Sequence, residues 1–279
     1  MARLDPLNTS RYRHAPQVPG MDLLHADFTT HEYAPHAHPS FVIAVTEVGG
    51  AAFRSRGRAG VAEPQALLVF NPSEPHSGHM GGSARWRYRA FYLAEPGIRH
   101  LMAALGLEQA RHFDSNVLGD QALIDAFLAL HRAFDADPGP DDPLARHERF
   151  VHTFGTLFQR HAVSGQRLPA APTGAGLLAP VLELLHDAFA ERLSLEQMAA
   201  AGGLTSFQLI GAFKRTTGLT PHAYLTQLRL RAAIRHLGAG QPLIDAAVAS
   251  GFYDQSALTR HFKRTFGMTP LQYVRARAG

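Results

Sequence analysis

Hydrophobic and polar residues alternate in short runs over the first third of the chain. Four runs of β-branched or aromatic residues, bounded by Gly, Pro and Asn, have the length and composition of strands. They are residues 41–48, 51–56, 66–70 and 86–93. In the last run Trp86, Tyr88 and Ala90 alternate with arginines, which is the two-residue period of a strand with one buried face. Strands at this spacing predict a sandwich or barrel beginning near residue 21.

The apolar spacing changes to three and four residues after the last of these runs. This spacing predicts amphipathic helices at 98–107, 120–135 and 144–163. Their apolar surface exceeds what isolated helices need, so we expect them to pack on the barrel, on a second subunit or on both. Residues 1–20 are polar and rich in proline, which predicts an irregular N-terminal arm. Residues 164–176 contain small residues, proline and glycine without periodicity, which predicts a linker.

From residue 177 onward the pattern is helical, and one segment returns after 49 residues. Eight identities carry this repeat: Leu209, Phe213, Lys214, Arg215, Gly218, Thr220, Pro221 and Tyr224 return as Leu258, Phe262, Lys263, Arg264, Gly267, Thr269, Pro270 and Tyr273. The pattern predicts short helices at 195–201 and about 206–217 in the first copy and at 243–250 and 254–266 in the second. Each pair is joined by a glycine-containing turn, the arrangement of a helix-turn-helix. A capping-box pattern at Ser194 and Gln197 opens the first unit, and a longer helix over 221–237 would space the two units.

Composition and charge add a direction to this picture. The chain is 46% hydrophobic and 18% charged, which is ordinary for a globular protein and argues against wholesale disorder. From residue 177 to the end there are 11 Lys and Arg against 6 Asp and Glu, whereas the first 176 residues hold 16 against 17. All of the excess positive charge therefore lies in the part that carries the repeat, which favours binding to nucleic acid.

Two absences limit the setting in which the protein works. No cysteine is present, so disulfides and cysteine-based zinc sites are excluded and a reducing compartment is favoured. The N-terminus lacks the apolar centre of a signal peptide, and no run of about 20 apolar residues could span a bilayer. We therefore expect a cytoplasmic protein without a membrane partner.

The second helix of each repeat unit is the candidate reader of duplex DNA. Glutamine can pair with adenine, arginine with guanine, and hydroxyl groups with bases or phosphates. The Lys-Arg pair at each helix end is better placed for phosphates, which give affinity without sequence information. The candidate contacts are Ser206, Gln208, Lys214 and Arg215 in the first unit, and Gln255, Ser256, Thr259, Arg260, Lys263 and Arg264 in the second.

The residues of this repeat carry a family resemblance. Residues 177–278, with the motifs GFYDQS and FKRTFGMTPLQY, closely resemble the double helix-turn-helix domain of AraC/XylS-type transcription regulators. Members of that family commonly carry a basic residue at the position of Gly211, inside the first recognition helix. Glycine costs roughly 1 kcal/mol of helix stability there and offers no side chain to the groove. Arg260 matches the family position in the second unit, so we expect sequence reading to be weighted toward that unit.

The N-terminal strands resemble the cupin-type sensor barrel of the same regulators. The resemblance rests on His36-Ala-His38, Glu47-Val-Gly49 and residues 71–76, and covers roughly residues 21–93. The pocket of such a barrel lies in its mouth or interior, lined by alternate strand residues. The candidate lining residues are His36, His38, His76, Trp86 and Tyr88.

Three histidines near two strand edges also raise the possibility of a metal site. Metal-binding cupins usually have a carboxylate a few residues after the His-x-His motif, but Ile43 and its apolar neighbours occupy that stretch here. We therefore expect no metal or other cofactor and no catalytic residue. The histidines would line a polar pocket or be satisfied by structural hydrogen bonds.

Together these patterns predict an α+β protein with four segments. They are an arm (1–20), a cupin-like barrel with accessory helices for effector binding and dimerisation (21–163), a linker (164–176) and an all-α domain of two helix-turn-helix units joined by a long helix (177–279). The expected function is a transcription regulator, most simply an activator, that binds double-stranded DNA and a small-molecule effector. The resemblance implies a homodimer that contacts RNA polymerase.

Two other classes stay open on the sequence alone. One is a cupin-type metalloenzyme fused to a DNA-binding module, and the other is an architectural DNA-binding protein without an effector. The sequence leaves open the effector, the target promoters, the sign of regulation, the geometry of the dimer, and whether His36, His38 and His76 bind a metal.

Overall fold

The computed structural model describes residues 8–135, 142–163, 176–266 and 269–278 of the chain. It divides into two compact units. The N-terminal unit comprises residues 1–139 and 149–169, and the C-terminal unit comprises residues 140–148 and 170–279. None of the described helices is long and apolar enough to cross a membrane.

The N-terminal unit contains two antiparallel sheets. One has the strand order β1-β2-β9-β4-β7-β10 and the other has the order β3-β8-β5-β6. The strands are β1 (Thr9–His14), β2 (Met21–Phe28), β3 (Glu32–His36), β4 (Phe41–Gly49), β5 (Ala51–Ser55), β6 (Arg58–Ala62), β7 (Leu67–Phe70), β8 (His76–His79), β9 (Trp86–Leu93) and β10 (Val117–Leu118).

Strand β9 explains why the sheets pack as they do. Its even-numbered residues Trp86, Tyr88 and Ala90 are buried in one core cluster with residues of both sheets. On the opposite face Phe91 contacts the rings of Phe127 and Phe154, with centroids 5.1 and 5.5 Å apart. The sheet is therefore covered on both faces over the second half of β9, and not only on the single face that its alternation predicts.

Three helices accompany these sheets: α1 (Glu95–Leu105), α2 (Gln121–Asp135) and α3 (Pro143–His161), of which residues 149 onward belong to the N-terminal unit. Phe127, Phe150 and Phe154 are at most 1% exposed. Their apolar faces are buried within this unit, so the packing on the barrel that the sequence allowed is confirmed.

A layer of charged side chains lies between α2 and the outer face of the large sheet. Arg89 bridges the carboxylates of Glu47 and Asp135, at 3.2 Å in each case. Arg89 also donates to Nδ1 of His131 at 3.2 Å, and Nε2 of His131 faces the carbonyl oxygen of Leu24 at 3.1 Å. Because Arg89 has no acceptor, Nδ1 must be the unprotonated nitrogen and Nε2–H the donor. The buried imidazole is therefore neutral.

The C-terminal unit is helical. Its helices are α4 (Ala179–Asp187), α5 (Leu195–Ala201), α6 (Ser206–Thr217), α7 (Pro221–Gly238), α8 (Leu243–Ala249), α9 (Gln255–Phe266) and α10 (Pro270–Ala278). Local chemistry accounts for several of their starts. Ser194 and Gln197 form a reciprocal capping box at α5, and Thr205 and Gln208 form another at α6.

The sequence repeat is also a structural repeat. Phe213 packs edge-on against Tyr224 with ring centroids 5.5 Å apart, and their equivalents Phe262 and Tyr273 do the same at 5.4 Å. Both phenylalanines are fully buried. Gly218 ends α6 in the left-handed conformation with φ 74°, whereas its equivalent Gly267 lies outside the described residues.

The predicted irregular arm needs a correction. Residues 9–14 form strand β1, which pairs with β2 from Thr9–Asp27 to His14–Asp22. Backbone pairing to an existing strand edge overrides the polar composition, which is compatible with an exposed edge strand. The predicted linker falls on residues 164–176, of which 164–175 lie outside the described residues.

Candidate DNA interface and ligand pocket

Helix α9 presents one exposed polar face. Gln255, Ser256 and Arg260 are exposed and Thr259 is half-buried, whereas Leu258 on the other side is fully buried. These polar residues recur at three and four positions, so they share one side of the helix. All of the sequence-predicted contacts in the second unit are therefore accessible to a groove.

Helix α6 agrees with the prediction only in part. Ser206 is 4% exposed, so it is unavailable to a base, and its place in the first turn of a packed helix is the reason. Gln208 is half-buried and its side-chain oxygen accepts from the backbone N–H of Thr205 at 2.9 Å. The first unit thus offers mainly Lys214 and Arg215, both exposed.

Five exposed cations at the ends and on the polar faces of α6 and α9 have no carboxylate partner among the described residues. Within the described ranges, no acidic side chain lies within ion-pair distance of the exposed cations Lys214, Arg215, Arg260, Lys263 and Arg264. Exposed cations without partners on two equivalent helix ends suit a partner with repeated negative charge. This is the property that makes the surface a candidate interface with the DNA backbone.

Gly211 occupies an open position on α6. A Cβ built there meets only the guanidinium end of Arg215, at 3.2 Å, and no backbone atom. Packing therefore does not require glycine at this position. The gap in the reading face of the first unit is a property of the sequence and not a consequence of crowding.

A buried arginine and a glycine in the C-terminal unit hold the second helix-turn-helix. Arg229 of α7 is 9% exposed and donates to the carbonyl oxygens of Phe189 and Glu191, at 2.8 Å each. Gly251 has φ 80°, and a Cβ there would lie 2.7 Å from the Cα of Ala190. The turn of the second unit therefore packs directly on the loop between α4 and α5. The sequence predicts the helix over 221–237 that carries Arg229 but not these contacts.

The cavity of the N-terminal unit lies between its two sheets. It has a volume of about 110 Å³. Its lining is mostly apolar and aromatic and includes three histidines: Tyr33, His36, His38, Val42, Ala44, Thr46, Ala51, Phe53, Ala62, Leu68, Phe70, His76, Ser77, Gly78, Trp86, Tyr88 and Tyr92. All five residues predicted for the effector pocket line this cavity.

The sequence missed much of this lining for a topological reason. Strand β5 contributes Phe53 and strand β7 contributes Phe70, and both rings are buried in the cluster between the sheets. The alternation along each strand separates the two faces of that strand but does not say which face turns inward. Only the pairing of the strands and the stacking of the two sheets decide this.

Hydrogen bonds hold the aromatic wall of the cavity. The hydroxyl groups of Tyr33 and Tyr88 lie 2.6 Å apart, and the indole N–H of Trp86 donates to Thr46 at 3.3 Å. Burial raises the pKa of the Tyr88 hydroxyl well above its ordinary value, and burial likewise raises the pKa of Tyr92. The phenols are therefore neutral at physiological pH and can donate to an acceptor.

The three predicted histidines lie close together in the wall of the cavity. Nε2 of His36 and Nε2 of His38 lie 3.1 Å apart, and the ring centroid of His76 is 4.5 Å from that of His36. One ring nitrogen from each lies within 4.8 Å of the others. Burial lowers the pKa of His38 and of His76, because a charged imidazole would lose solvation there.

Comparison with known proteins agrees with both units. Residues 18–154 match the AraC-like ligand binding domain, and residues 198–276 match a helix-turn-helix domain. An uncharacterized HTH-type transcriptional regulator of Bacillus subtilis (strain 168), YbfI, is 27% identical over 81% of this chain and 81% of its own length. The right origin-binding protein of Escherichia coli (strain K12) is 33% identical, over 37% of this chain and 36% of its own.

Among solved structures, ToxT from Vibrio cholerae aligns over 91% of this chain and 98% of its own, with 10% identity and a TM-score of 0.39. An AraC-type DNA-binding protein from Chromobacterium violaceum aligns over 37% of this chain and 92% of its own, with 26% identity and a TM-score of 0.35.

A ligand-binding barrel and a double helix-turn-helix in one chain define a DNA-binding transcription regulator with a sensor domain. The chain belongs to the AraC-type transcription regulators. This confirms the family and the α+β class that the repeat and the strand pattern predict.

Proposed function

We propose that this regulator reads DNA with specificity concentrated in the second helix-turn-helix and changes its DNA binding when a small molecule fills the cavity. The observation that carries the first part is the difference between two equivalent helices. Helix α9 exposes Arg260 on a polar face, whereas α6 has Gly211 on its corresponding side. Both helices retain an exposed Lys-Arg pair, so both can hold phosphates.

The test compares a base-reading cation with a phosphate-binding cation on the same helix. A duplex enriched from a random library by the wild-type chain is used, with single-base variants of it. In fluorescence anisotropy, Arg260→Ala should lose preference at one base position by about 1–3 kcal/mol. Lys263→Ala, the matched control, should weaken all duplexes alike and reduce the slope of log K against log salt by about 0.9. Equal loss by Arg260→Ala on every duplex would contradict base reading by this residue.

The chemistry of the cavity indicates the class of effector. A cavity of about 110 Å³ is somewhat smaller than the roughly 150 Å³ cavity that admits benzene in another protein. Its walls are aliphatic and aromatic, and its polar groups are the three histidines, Ser77, Thr46 and the polar atoms of the tyrosines and Trp86. We infer a compact, largely apolar molecule of about one ring, with an acceptor directed at the hydroxyl pair of Tyr33 and Tyr88.

Filling the cavity provides the test of this assignment. Ala44 lines the cavity from β4, whereas Ala52 is a neighbouring strand alanine that does not line it. A thermal-shift screen first identifies a stabilising compound, since a ligand at 100 times its Kd adds about 2.7 kcal/mol. Ala44→Leu should abolish the shift and the effect of the compound on DNA binding, while Ala52→Leu should retain both. An unchanged response in Ala44→Leu would place the effector elsewhere.

We further propose that the protein acts as an activator, that it is a homodimer in the cytoplasm and that it contacts RNA polymerase. Ile244 and Val248, one turn apart on α8, are 58% and 62% exposed and form an apolar pair suited to a protein partner. Ile244→Glu should lose activation in a reporter assay while keeping DNA affinity. Light scattering of the full chain tests the dimer, for which the family resemblance is the support.

The proposed function is not enzymatic. Supporting this, the carboxylate that a metal-binding cupin usually carries after its His-x-His motif is replaced here by Val42, Ile43 and Ala44, all buried. The nearest acidic side chain in sequence to His76, that of Glu74, already accepts hydrogen bonds from Ser55, Asn71 and Asn116.

A further inference from the structure

Two of the three histidines that line the cavity, His36 and His76, are held in a defined tautomer. Nδ1 of His36 lies 2.7 Å from the carbonyl oxygen of Ala34, and Nδ1 of His76 lies 2.9 Å from that of Glu74. A carbonyl oxygen can only accept, so each Nδ1 carries the proton. The lone pair of each imidazole is therefore on Nε2.

The third histidine, His38, completes a cluster of nitrogen atoms that could ligate a metal. Nε2 of His36 accepts, so the 3.1 Å contact requires His38 to donate its Nε2 proton. If that proton moves to Nδ1, His38 stays neutral and all three rings offer lone pairs. A tetrahedral metal with bonds of about 2.0–2.1 Å separates two of its nitrogen ligands by roughly 3.3 Å. The separation between His36 and His38 already matches this value.

We propose that His36, His38 and His76 form a binding site for a divalent transition metal such as Zn²⁺. Ring nitrogens of all three residues lie within 4.8 Å of one another, and each residue is half-buried, so none is sealed off from solvent. The backbone acceptors of His36 and His76 serve as the partners that orient metal-bound imidazoles. Three neutral nitrogens suit Zn²⁺, Cu²⁺ and Ni²⁺ in preference to Mg²⁺ or Ca²⁺.

The missing carboxylate changes what such a site would do but not whether it can form. Three protein ligands would leave at least one coordination position open, and the three histidines line the cavity. The walls provide no carboxylate to fill it or to act as a base. A bound ion would place positive charge beside the three histidines in a largely apolar cavity. It would therefore favour an effector with an anionic oxygen.

Metal uptake can be measured without DNA or effector, so it can fail while the proposed regulator function stands. Untagged full-length protein is treated with EDTA, dialysed and titrated with Zn²⁺ by calorimetry, with Co²⁺ absorption as a second readout. The wild type should bind one equivalent at the site. The affinity for Zn²⁺ should fall by at least about 100-fold in each of the variants His36→Gln, His38→Gln and His76→Gln. This loss should exceed the 10–100-fold loss that follows when a metal ligand loses only its hydrogen-bond partner.

The matched control is His79→Gln. His79 is exposed on the same strand as His76, outside the cluster, and accepts from the N–H of Gly81. It should retain wild-type affinity and the visible spectrum of four-coordinate Co²⁺. Melting curves of the metal-free proteins identify any variant that does not fold. The folded variants of His36, His38 and His76 then decide whether the cluster binds the metal. Uptake below a tenth of an equivalent by the wild type, or unchanged affinity in the folded cluster variants, would overturn the proposal.

Discussion

Gly211 is the position where a single change should strengthen both the fold and DNA binding. Replacing glycine by alanine inside a helix gains about 0.8–1.0 kcal/mol, and arginine ranks close to alanine. The only atom that a new Cβ meets is Nη1 of Arg215 at 3.2 Å, the end of a flexible side chain that can move away. We therefore expect Gly211→Ala to raise the free energy of unfolding by about 1 kcal/mol. Gly211→Arg should raise it by about 0.5–0.8 kcal/mol, because like charges four residues apart on a helix repel by about 0.2–0.5 kcal/mol.

The two substitutions should differ in DNA binding. Arginine adds a cation one turn before Arg215, and each added phosphate contact steepens the slope of log K against log salt by about 0.9. Over a tenfold rise in salt, Gly211→Arg should therefore lose about eightfold more affinity than the wild type. Gly211→Ala should show the wild-type slope, because it adds no charge.

Thermal denaturation and anisotropy titrations at several salt concentrations measure these effects. Gly211→Ala changes the helix propensity without adding a charge. The difference between Gly211→Arg and Gly211→Ala in DNA affinity therefore measures the contribution of the added charge. If Gly211→Arg has the wild-type slope, this side of α6 does not face the DNA and the proposed asymmetry between the units is wrong. If Gly211→Ala destabilises the protein, position 211 is not the open site that the structure indicates.

Two further predictions concern stability. The pKa of His131 is lowered from 6.5 to about 4, chiefly by burial, so its stabilising effect is complete above about pH 6.5 and is lost as the pH falls toward 4. The maximum loss in the free energy of unfolding is about 3 kcal/mol. The melting temperature should therefore fall as the pH is lowered from about 6.5 to about 4, and it should fall less in His131→Gln. Gly251→Ala should cost at least about 2 kcal/mol, because a left-handed backbone and contact with a neighbouring backbone act together. Gly203→Ala, in the first turn and facing open space, should cost only about 1–2 kcal/mol.

These predictions have distinct points of failure. An acid profile of His131→Gln identical to that of the wild type would show that other groups, such as the Glu47 and Asp135 carboxylates, set the acid limit. Equal destabilisation by Gly203→Ala and Gly251→Ala would show that the close approach of Ala190 to Gly251 carries no energetic weight.

The helices of the C-terminal unit could be predicted closely because their signals are local. The sequence predicts helices at 195–201 and 206–217, and the structure has Leu195–Ala201 and Ser206–Thr217. Capping residues, helical periodicity and glycine turns act within a few positions, so the sequence displays them directly. Ser206 shows the limit of this reasoning, because a polar residue type predicted exposure at a position that packing buries.

Strand β1 and the cavity depended on contacts between distant segments. Thr9–His14 is a strand because β2 offers a free edge, and no local feature of a polar segment reveals that edge. His38 and His76, which complete the cluster with His36, lie two and forty positions after it in the chain. The tautomers of His36 and His76 depend on backbone carbonyl groups that the fold brings near. Residue types alone therefore could not distinguish scattered histidines from an organised cluster.

By itself, the sequence determined that this protein carries two copies of one DNA-binding unit, that the excess positive charge lies there, and that only the second copy has arginine at the reading position. Repeats, charges and helix caps are properties of short stretches, so they survive without tertiary structure. The tertiary structure decided which strand faces enclose the cavity, that Ser206 is buried, and that three imidazoles converge. Each of these depends on contacts between residues from separate segments, and only the folded chain defines those contacts.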